Sequence, residues 1–171
     1  MEGKHKAIAI PVSIINDQPH FLLVHDRRYR EWTFVTGGCR KREVYNPLRC
    51  AVRELEEETR GILNLKNGTY RYFNFTTEEG AIYHVYIFDM KMSETDQSQI
   101  VSQFTAEKHK MESNQTAFRK NYDENDNLEF DTLEGMSKRK LWPLISRYVI
   151  QNPEFHCTLR SSERQSFSLR Y

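Results

Sequence analysis

Glu54, Glu57 and Glu58 stand at i, i+3 and i+4 in the run Arg53-Glu54-Leu55-Glu56-Glu57-Glu58. On a helix that spacing puts three carboxylates on one face, within reach of one another. Three like charges so close repel. A hard divalent cation offsets the repulsion, and carboxylate oxygen suits Mg2+ or Mn2+. Glu56 points elsewhere and reads as solvated. Acidic helix runs are usually solvated faces, but this one has unusual company. A Gly37-Gly38 turn precedes it, Arg40-Lys41-Arg42 follows the turn, and Arg53 adjoins the acids. The turn frees backbone amides and carbonyls beside the cluster.

The elements that must hold these groups can be read from periodicity. Asn46-Pro47 is an N-cap followed by proline at the first helical position, and Gly61 is a C-terminal cap, so one helix is expected over residues 46–60. Leu48, Ala51, Val52 and Leu55 repeat as its apolar stripe. Strands are expected at 7–15 and 20–25, joined by the turn Asn16-Asp17-Gln18-Pro19, and at 32–36, ended by Gly37-Gly38. Pro11 marks an edge position or a bulge. A second hairpin, 70–75 with 82–88, turns at Glu78-Glu79-Gly80. Its large residues on both faces imply a sheet covered on both sides. Residues 128–133 form a last strand, and a second helix over 141–150 ends at Asn152-Pro153. The segment 93–126 is a polar, partly helical, mobile insert with few anchors: Ile100, Val101, Phe104, Met111 and Phe118. The tail from about 158 is serine- and arginine-rich and reads as frayed.

At 171 residues the chain is one domain. Aromatics make up 12% of it, which excludes a disordered chain. Lys plus Arg is 25 against 24 for Asp plus Glu, a net charge of +1 that excludes a strongly basic nucleic-acid coat. No apolar run approaches the roughly 20 residues that span a bilayer. The start, Met1 to Lys6, lacks a secretion signal's apolar stretch. A cytoplasmic protein without membrane contact is expected. Cys39, Cys50 and Cys157 are too few and too scattered for a zinc site or a disulfide framework.

The stretch from Gly38 to Ile62 resembles the signature of the Nudix hydrolases, G-x5-E-x7-R-E-U-x-E-E-x-G-U with U bulky and aliphatic. Arg53-Glu54-Leu55-Glu56-Glu57-Glu58 matches the R-E-U-x-E-E core at every defined position, and Gly38 fits the opening glycine. The lead-in Trp32-Thr33-Phe34-Val35-Thr36-Gly37-Gly38 is similar to the family's strand. Two features depart from the pattern. Gly38 to Arg53 is one residue too long, which leaves Glu43 as the only loop glutamate and out of register. Thr59-Arg60-Gly61-Ile62 has one residue more than x-G-U, at the helix end. In its extended loop and long polar insert the chain is similar to Nudix proteins of large DNA viruses.

The resemblance implies an α/β/α sandwich with a mixed β-sheet between helices, and a Mg2+- or Mn2+-dependent hydrolase that cleaves a diphosphate linkage. It implies Glu57 and Glu58 as metal ligands, Glu54 as a third ligand or the base, and the Gly38 carbonyl as a further ligand. Arg53 would hold a neighbouring glutamate in position. Some relatives take the general base from a downstream loop. Glu124, Glu129 and Glu134 are then candidates, with Glu78 and Glu79 behind them, and Glu129 is preferred beside the last strand. Arg40, Lys41 and Arg42 would bind a phosphate-rich substrate; Arg27-Arg28-Tyr29-Arg30 and Lys138-Arg139-Lys140 also flank the acids. Trp32 is read as core that could also stack on a base. Among substrates, capped messenger RNA releasing 7-methyl-GDP is favoured. Diphosphoinositol polyphosphates and free nucleotides (nucleoside triphosphates, ADP-ribose) follow, then a silent RNA- or protein-binding module. The oligomeric state is open.

Overall fold

The computed structural model describes residues 4–113 and 122–170. Its centre is a mixed sheet of β1 (His5–Ile15), β2 (Gln18–Asp26), β3 (Trp32–Thr33), β4 (Val35–Gly38), β5 (Asn67–Thr76), β6 (Ile82–Asp89), β7 (Asn125–Asp131) and β8 (Gln165–Ser168). The order is β3-β2-β1-β6-β5-β8, with β4 on β1 and β7 on β2. β1 and β6 run parallel, and the remaining pairs are antiparallel. Helices α1 (Pro47–Glu58), α2 (Glu94–Ser113), α3 (Leu133–Ser137), α4 (Pro143–Ile145) and α5 (Pro153–Arg160) cover it. A single π-helical turn, Ser146–Ile150, continues α4.

Strict alternation along the strands sorts the core into two layers. Ala7, Ala9, Leu22, Val24, Tyr86 and Phe88 face α1, where Leu48, Ala51, Val52 and Leu55 meet them with Phe104 of α2. Ile8, Ile10, Phe21, Leu23, Val85 and Ile87 face the other way, towards Met136, Ile145, Val149 and Phe155. The small residues of β1 thus lie under α1 and let the helix come close to the sheet.

Several expectations change. Pro11 sits in a central strand, not at an edge or bulge. The first half of β1 pairs with β4 up to Ala9, and the second half pairs with β2 from Val12. Pro11 falls between the two ladders, where no antiparallel bond is lost. Asn152-Pro153 begins a helix rather than only ending one. The Asn152 side chain accepts from the Glu154 amide at 3.0 Å, and Pro153 takes the first turn of α5. The same Asn-Pro pair opens α1, although there the Asn46 side chain makes no cap bond.

The tail from 158 is not frayed. β8 pairs with β5, Phe167 packs on Tyr70 and Phe88, and Leu169 is buried. Two apolar anchors in alternate positions hold a strand too short to stand out in a polar sequence. The polar insert starts as an ordered helix. Ser93 and Asp96 cap each other reciprocally at 2.9 and 3.1 Å. Buried Gln97 donates to Ser13 at 2.6 Å, and Phe104 is buried. The Phe118 anchor lies outside the described residues.

Candidate active site

α1 delivers its acids edge-on to the β4 turn. The apolar stripe is held by the sheet, so the face carrying Glu54, Glu57 and Glu58 is turned inward, and all three are buried. Gly37 makes this approach feasible, because a β-carbon there would overlap the Glu54 carboxyl. Gly38 has open space where its β-carbon would be. The glycine that the packing requires is therefore Gly37. Counted from it, five residues separate glycine from Glu43, as in the signature, and the surplus residues fall between Glu43 and Arg53.

Arg53 ties the loop to the acids. Its Nε and Nη2 donate to the two Glu43 oxygens at 2.8 Å each. Its Nη1 donates to Glu54 at 2.9 Å and to Glu57 at 3.2 Å, and Nη2 also donates to the Gly38 carbonyl at 3.0 Å. The Arg40 backbone amide adds a bond to Glu43 at 2.8 Å. Burial alone would raise the Glu43 carboxyl, but Arg53 and the Arg40 amide outweigh it and hold it below its ordinary value. Glu43 thus positions Arg53, which positions the acids.

Glu54 and Glu58 carry the opposite signature. Burial pushes Glu54 up to about 7, opposed by Arg53 and reinforced by Glu57. Burial, then repulsion from Glu54 and Glu124, drives Glu58 well above its ordinary value. The Asn125 amide donates to Glu58 Oε1 at 3.2 Å, while Oε2 is buried with no hydrogen-bond partner among the described residues.

These observations test the fit of a divalent cation. Among the described residues no three His, Cys, Asp or Glu side chains are drawn together as a metal site. The inner oxygens of Glu54 and Glu57 are engaged by Arg53 instead. The donor set nevertheless suits a hard cation: mutually repelling carboxylates, one of them with an orphaned buried oxygen.

Glu129 does not reach this cluster. It is in register with Leu23, whose side chain belongs to the far layer of the core, so the sheet separates it from α1. Glu124, one residue before β7, is the downstream acid that arrives. It feels Glu57 and Asp26, and partial burial with their charge raises its carboxyl. Glu134 is exposed on α3, and Glu78 pairs with Arg147 at 2.6 Å at the far hairpin.

Beside Glu58 opens a cleft of about 500 Å3, whose walls include Gly37, Glu58, Glu124, Glu31, Tyr29 and Trp142. Trp32 is not part of it. Glu31, just before β3, and Thr33 within it line the cleft, and Trp32 between them does not, with the Arg139 guanidinium over its ring at 4.3 Å. The aromatic residues of the cleft are Tyr29, Tyr83 and Trp142. Alternation could have flagged Glu31 and Thr33; nothing local in the sequence marks Trp142, Tyr83 or Asn125.

The basic stretches stand apart. Arg40 is exposed and reaches Glu57 at 3.6 Å; Lys41 and Arg42 are exposed. Arg27 is paired with Asp123 at 2.6 Å, and Arg139 with Asp131 at 2.8 Å.

Comparison with known proteins agrees with this geometry. The NUDIX domain family model matches residues 4–143. The Nudix domain of Shewanella oneidensis NrtR, solved with ADP ribose, is similar in fold, with a TM-score of 0.55, 12% identity, 88% of this chain and 86% of that chain covered. A Nudix hydrolase from M. smegmatis, RenU, gives 0.50 at 14% identity, covering 84% of this chain and 80% of that one. A mutT/nudix family protein from Listeria innocua gives 0.50 at 14%, covering 82% and 85%. No curated protein matches significantly. The chain belongs to the Nudix family, with the sandwich fold of that family, and it is a pyrophosphohydrolase. Among the described residues no helix is long and apolar enough to cross a membrane.

Proposed function

We propose that this enzyme uses Mg2+ or Mn2+ to hydrolyse one diphosphate linkage within the triphosphate bridge of capped messenger RNA, releasing 7-methyl-GDP and leaving a 5′-monophosphate on the RNA. The observation that carries the reading is the cleft beside Glu58. It joins the acid cluster to a pocket of three aromatic residues, lined by Asp26, Glu31, Glu58 and Glu124 with Lys6 as its one cation. A purine fits between aromatic walls, and a cationic N7-methylated purine suits acidic, electron-rich ones.

Glu57 and Glu58 would hold the cation, with Glu54 and the Gly38 carbonyl completing the set once Arg53 releases them. A cation held by these residues would supply charge to neutralise the diphosphate and would lower the pKa of a water. Where Glu54 is not a ligand it would accept the proton of the attacking water, and otherwise Glu124, which also lines the cleft, would do so. Glu43 and Arg53 keep the acids in register with the Gly37 turn. Arg40, Lys41 and Arg42 lie exposed on the same loop, where an RNA backbone could run. Diphosphoinositol polyphosphates, nucleoside triphosphates and ADP-ribose are the competing substrates. They are separated by a hydrolysis panel that adds capped RNA, run with and without Mg2+ or Mn2+, with products identified. Release of 7-methyl-GDP from capped RNA as the fastest reaction supports the reading. Faster cleavage of a diphosphoinositol or free nucleotide overturns it.

A further inference from the structure

The chain between β2 and β3 is a tight turn that places two side chains in the cleft. Asp26 Oδ1 accepts from the backbone amides of Arg28 and Tyr29 at 2.9 and 2.7 Å. The Arg30 amide returns to the Asp26 carbonyl at 2.9 Å, and the Asp26 amide donates to the Glu31 carbonyl at 2.9 Å. Arg30 takes the left-handed conformation, φ 57°, which costs about 1 kcal/mol for a residue with a β-carbon. One Asp26 carboxylate oxygen is thereby spent on the turn. Tyr29 is thrust out at the mouth, 63% exposed. Glu31 is half-buried, lines the cleft, and its carboxylate has no hydrogen bond or ion pair among the described residues.

A free carboxylate in an aromatic-lined pocket needs a ligand to answer it. The second sign of a ligand is the cavity itself, about 500 Å3, lined by Tyr29, Tyr83 and Trp142 alongside Glu31 and Glu58. The two carboxylates call for different chemistry. Glu58 belongs to the acid cluster on α1, whereas Glu31 comes from the turn before β3 and lines the cleft together with Tyr29, Thr33 and Trp142.

Resting on the reading of a nucleoside diphosphate substrate, we propose that Glu31 determines base specificity by accepting the two adjacent N–H donors of a guanine-type edge, while Tyr29 and Trp142 contact the ring. A carboxylate offers two acceptors side by side. Guanine, methylated at N7 or not, answers with N1–H and the 2-amino group. Adenine presents an acceptor beside a single donor, so one carboxylate oxygen would face a lone pair. Uracil flanks its one N–H with two carbonyl oxygens. Only the guanine edge satisfies the carboxylate, and a mismatched base leaves a desolvated charge behind. N7-methylation adds a positive charge to the ring and strengthens its contact with Tyr29 and Trp142.

The test compares Glu31→Gln with wild type on three dinucleotides bridged by the same phosphates and capped by 7-methylguanosine, guanosine or adenosine. Glutamine offers one acceptor and one donor, which suits adenine. For Glu31→Gln, KM on both guanine substrates should rise about 10- to 100-fold with kcat nearly unchanged, and the adenosine substrate should be unaffected or improved. Equal changes on all three substrates, or none, overturn the proposal. Binding is read separately, without divalent cation, as quenching of tryptophan fluorescence by 7-methyl-GDP. The chain has two tryptophans. Trp142→Phe should abolish the quench and Trp32→Phe should leave it; the reverse result overturns the placement. If wild type cleaves none of the dinucleotides, the proposed function falls, and the quenching experiment still decides the base site.

Discussion

Two arginines seven residues apart, Arg53 on α1 and Arg60 in the motif that ends it, do different work. Arg53 spends its guanidinium on charges: both oxygens of Glu43, one each of Glu54 and Glu57, and a carbonyl of the glycine turn. Arg60 spends most of its own on backbone and ring, with one longer ion pair to Asp123 at 3.4 Å. It donates to the carbonyls of Phe104 and Asn125 at 2.7 Å each, and lies 3.7 Å from the Phe104 ring centre. It also occupies the left-handed position of the helix-ending motif, φ 57°, with Gly61 following at φ 81°. The Arg60 amide bonds to the Glu57 carbonyl and the Gly61 amide to the Glu56 carbonyl, the double closure of a Schellman cap. Arg53 holds reactive groups at set distances. Arg60 joins α1, α2 and β7, and so fixes Asn125 against Glu58 only indirectly. A helix can therefore use one residue type to tune chemistry at one turn and to stitch the fold two turns later.

The largest expected effect lies at the Arg53 end. Glu57→Gln and Glu58→Gln should each keep the fold and lower turnover by about 100-fold or more, measured as kcat with circular dichroism as the folding control. Wild-type-like turnover in both would remove them from the site. Gly37→Ala should cause a loss of similar scale by displacing Glu54, while Gly38→Ala should be nearly silent; equal tolerance at both positions would break the assignment of the packing glycine.

The arginines themselves come next. Arg53→Gln should reduce turnover strongly with a modest change in melting temperature. Arg60→Gln strands two buried carbonyls and should cost about 2–3 kcal/mol, a fall of roughly 5–10 °C in Tm, with a smaller change in kcat. If both variants lose activity and stability in the same proportion, the two ends are not functionally distinct.

A smaller effect is expected from pH on the cation-free protein. Glu54 titrates near 7 in the folded state against an ordinary value of 4.5. The folded state therefore holds a proton that the unfolded state has released. The stability contributed by protonated Glu54 is complete below about pH 4.5 and is lost as pH rises through about 7. His84 works in the reverse sense. Burial, then His5, lowers it below 6.5, so its contribution is present above that value and is lost as pH falls through its folded pKa. Thermal unfolding from pH 5 to 8 should show stability falling towards pH 8 for wild type and a flatter profile for Glu54→Gln. An unchanged slope would mean that Glu54 does not carry it.

The smallest effect belongs to the exposed loop. Replacing Arg40, Lys41 and Arg42 together by alanine should weaken capped RNA binding and flatten its salt dependence, with little change for a free nucleotide. Equal loss on every substrate would place the loop at the scissile diphosphate. No change on any would make it a solvated surface.

The Arg53 end was legible because all its information is local. Helical spacing puts Glu54, Glu57 and Glu58 on one face whatever surrounds them, and a breaker-free run behind Asn46-Pro47 had to be a helix. The sandwich was legible because the hairpin 70–75 with 82–88 carries large residues on both faces, which requires a sheet covered on both sides. What the tertiary structure alone decided are facts about which face meets which. Glu129 looked well placed beside the last strand, but register with Leu23 sent it to the wrong side of the sheet and left Glu124 at the cleft. Trp32 was the visible aromatic, yet a strand turns alternate residues apart, so Glu31 and Thr33 took the cleft and Trp142 came to it from a remote helix start. Pro11 is harmless only because β1 changes partners there, and the tail is ordered only because β5 offers it an edge. Residues close in the chain constrain one another through backbone geometry, which sequence spells out; residues far apart meet through packing, which it does not.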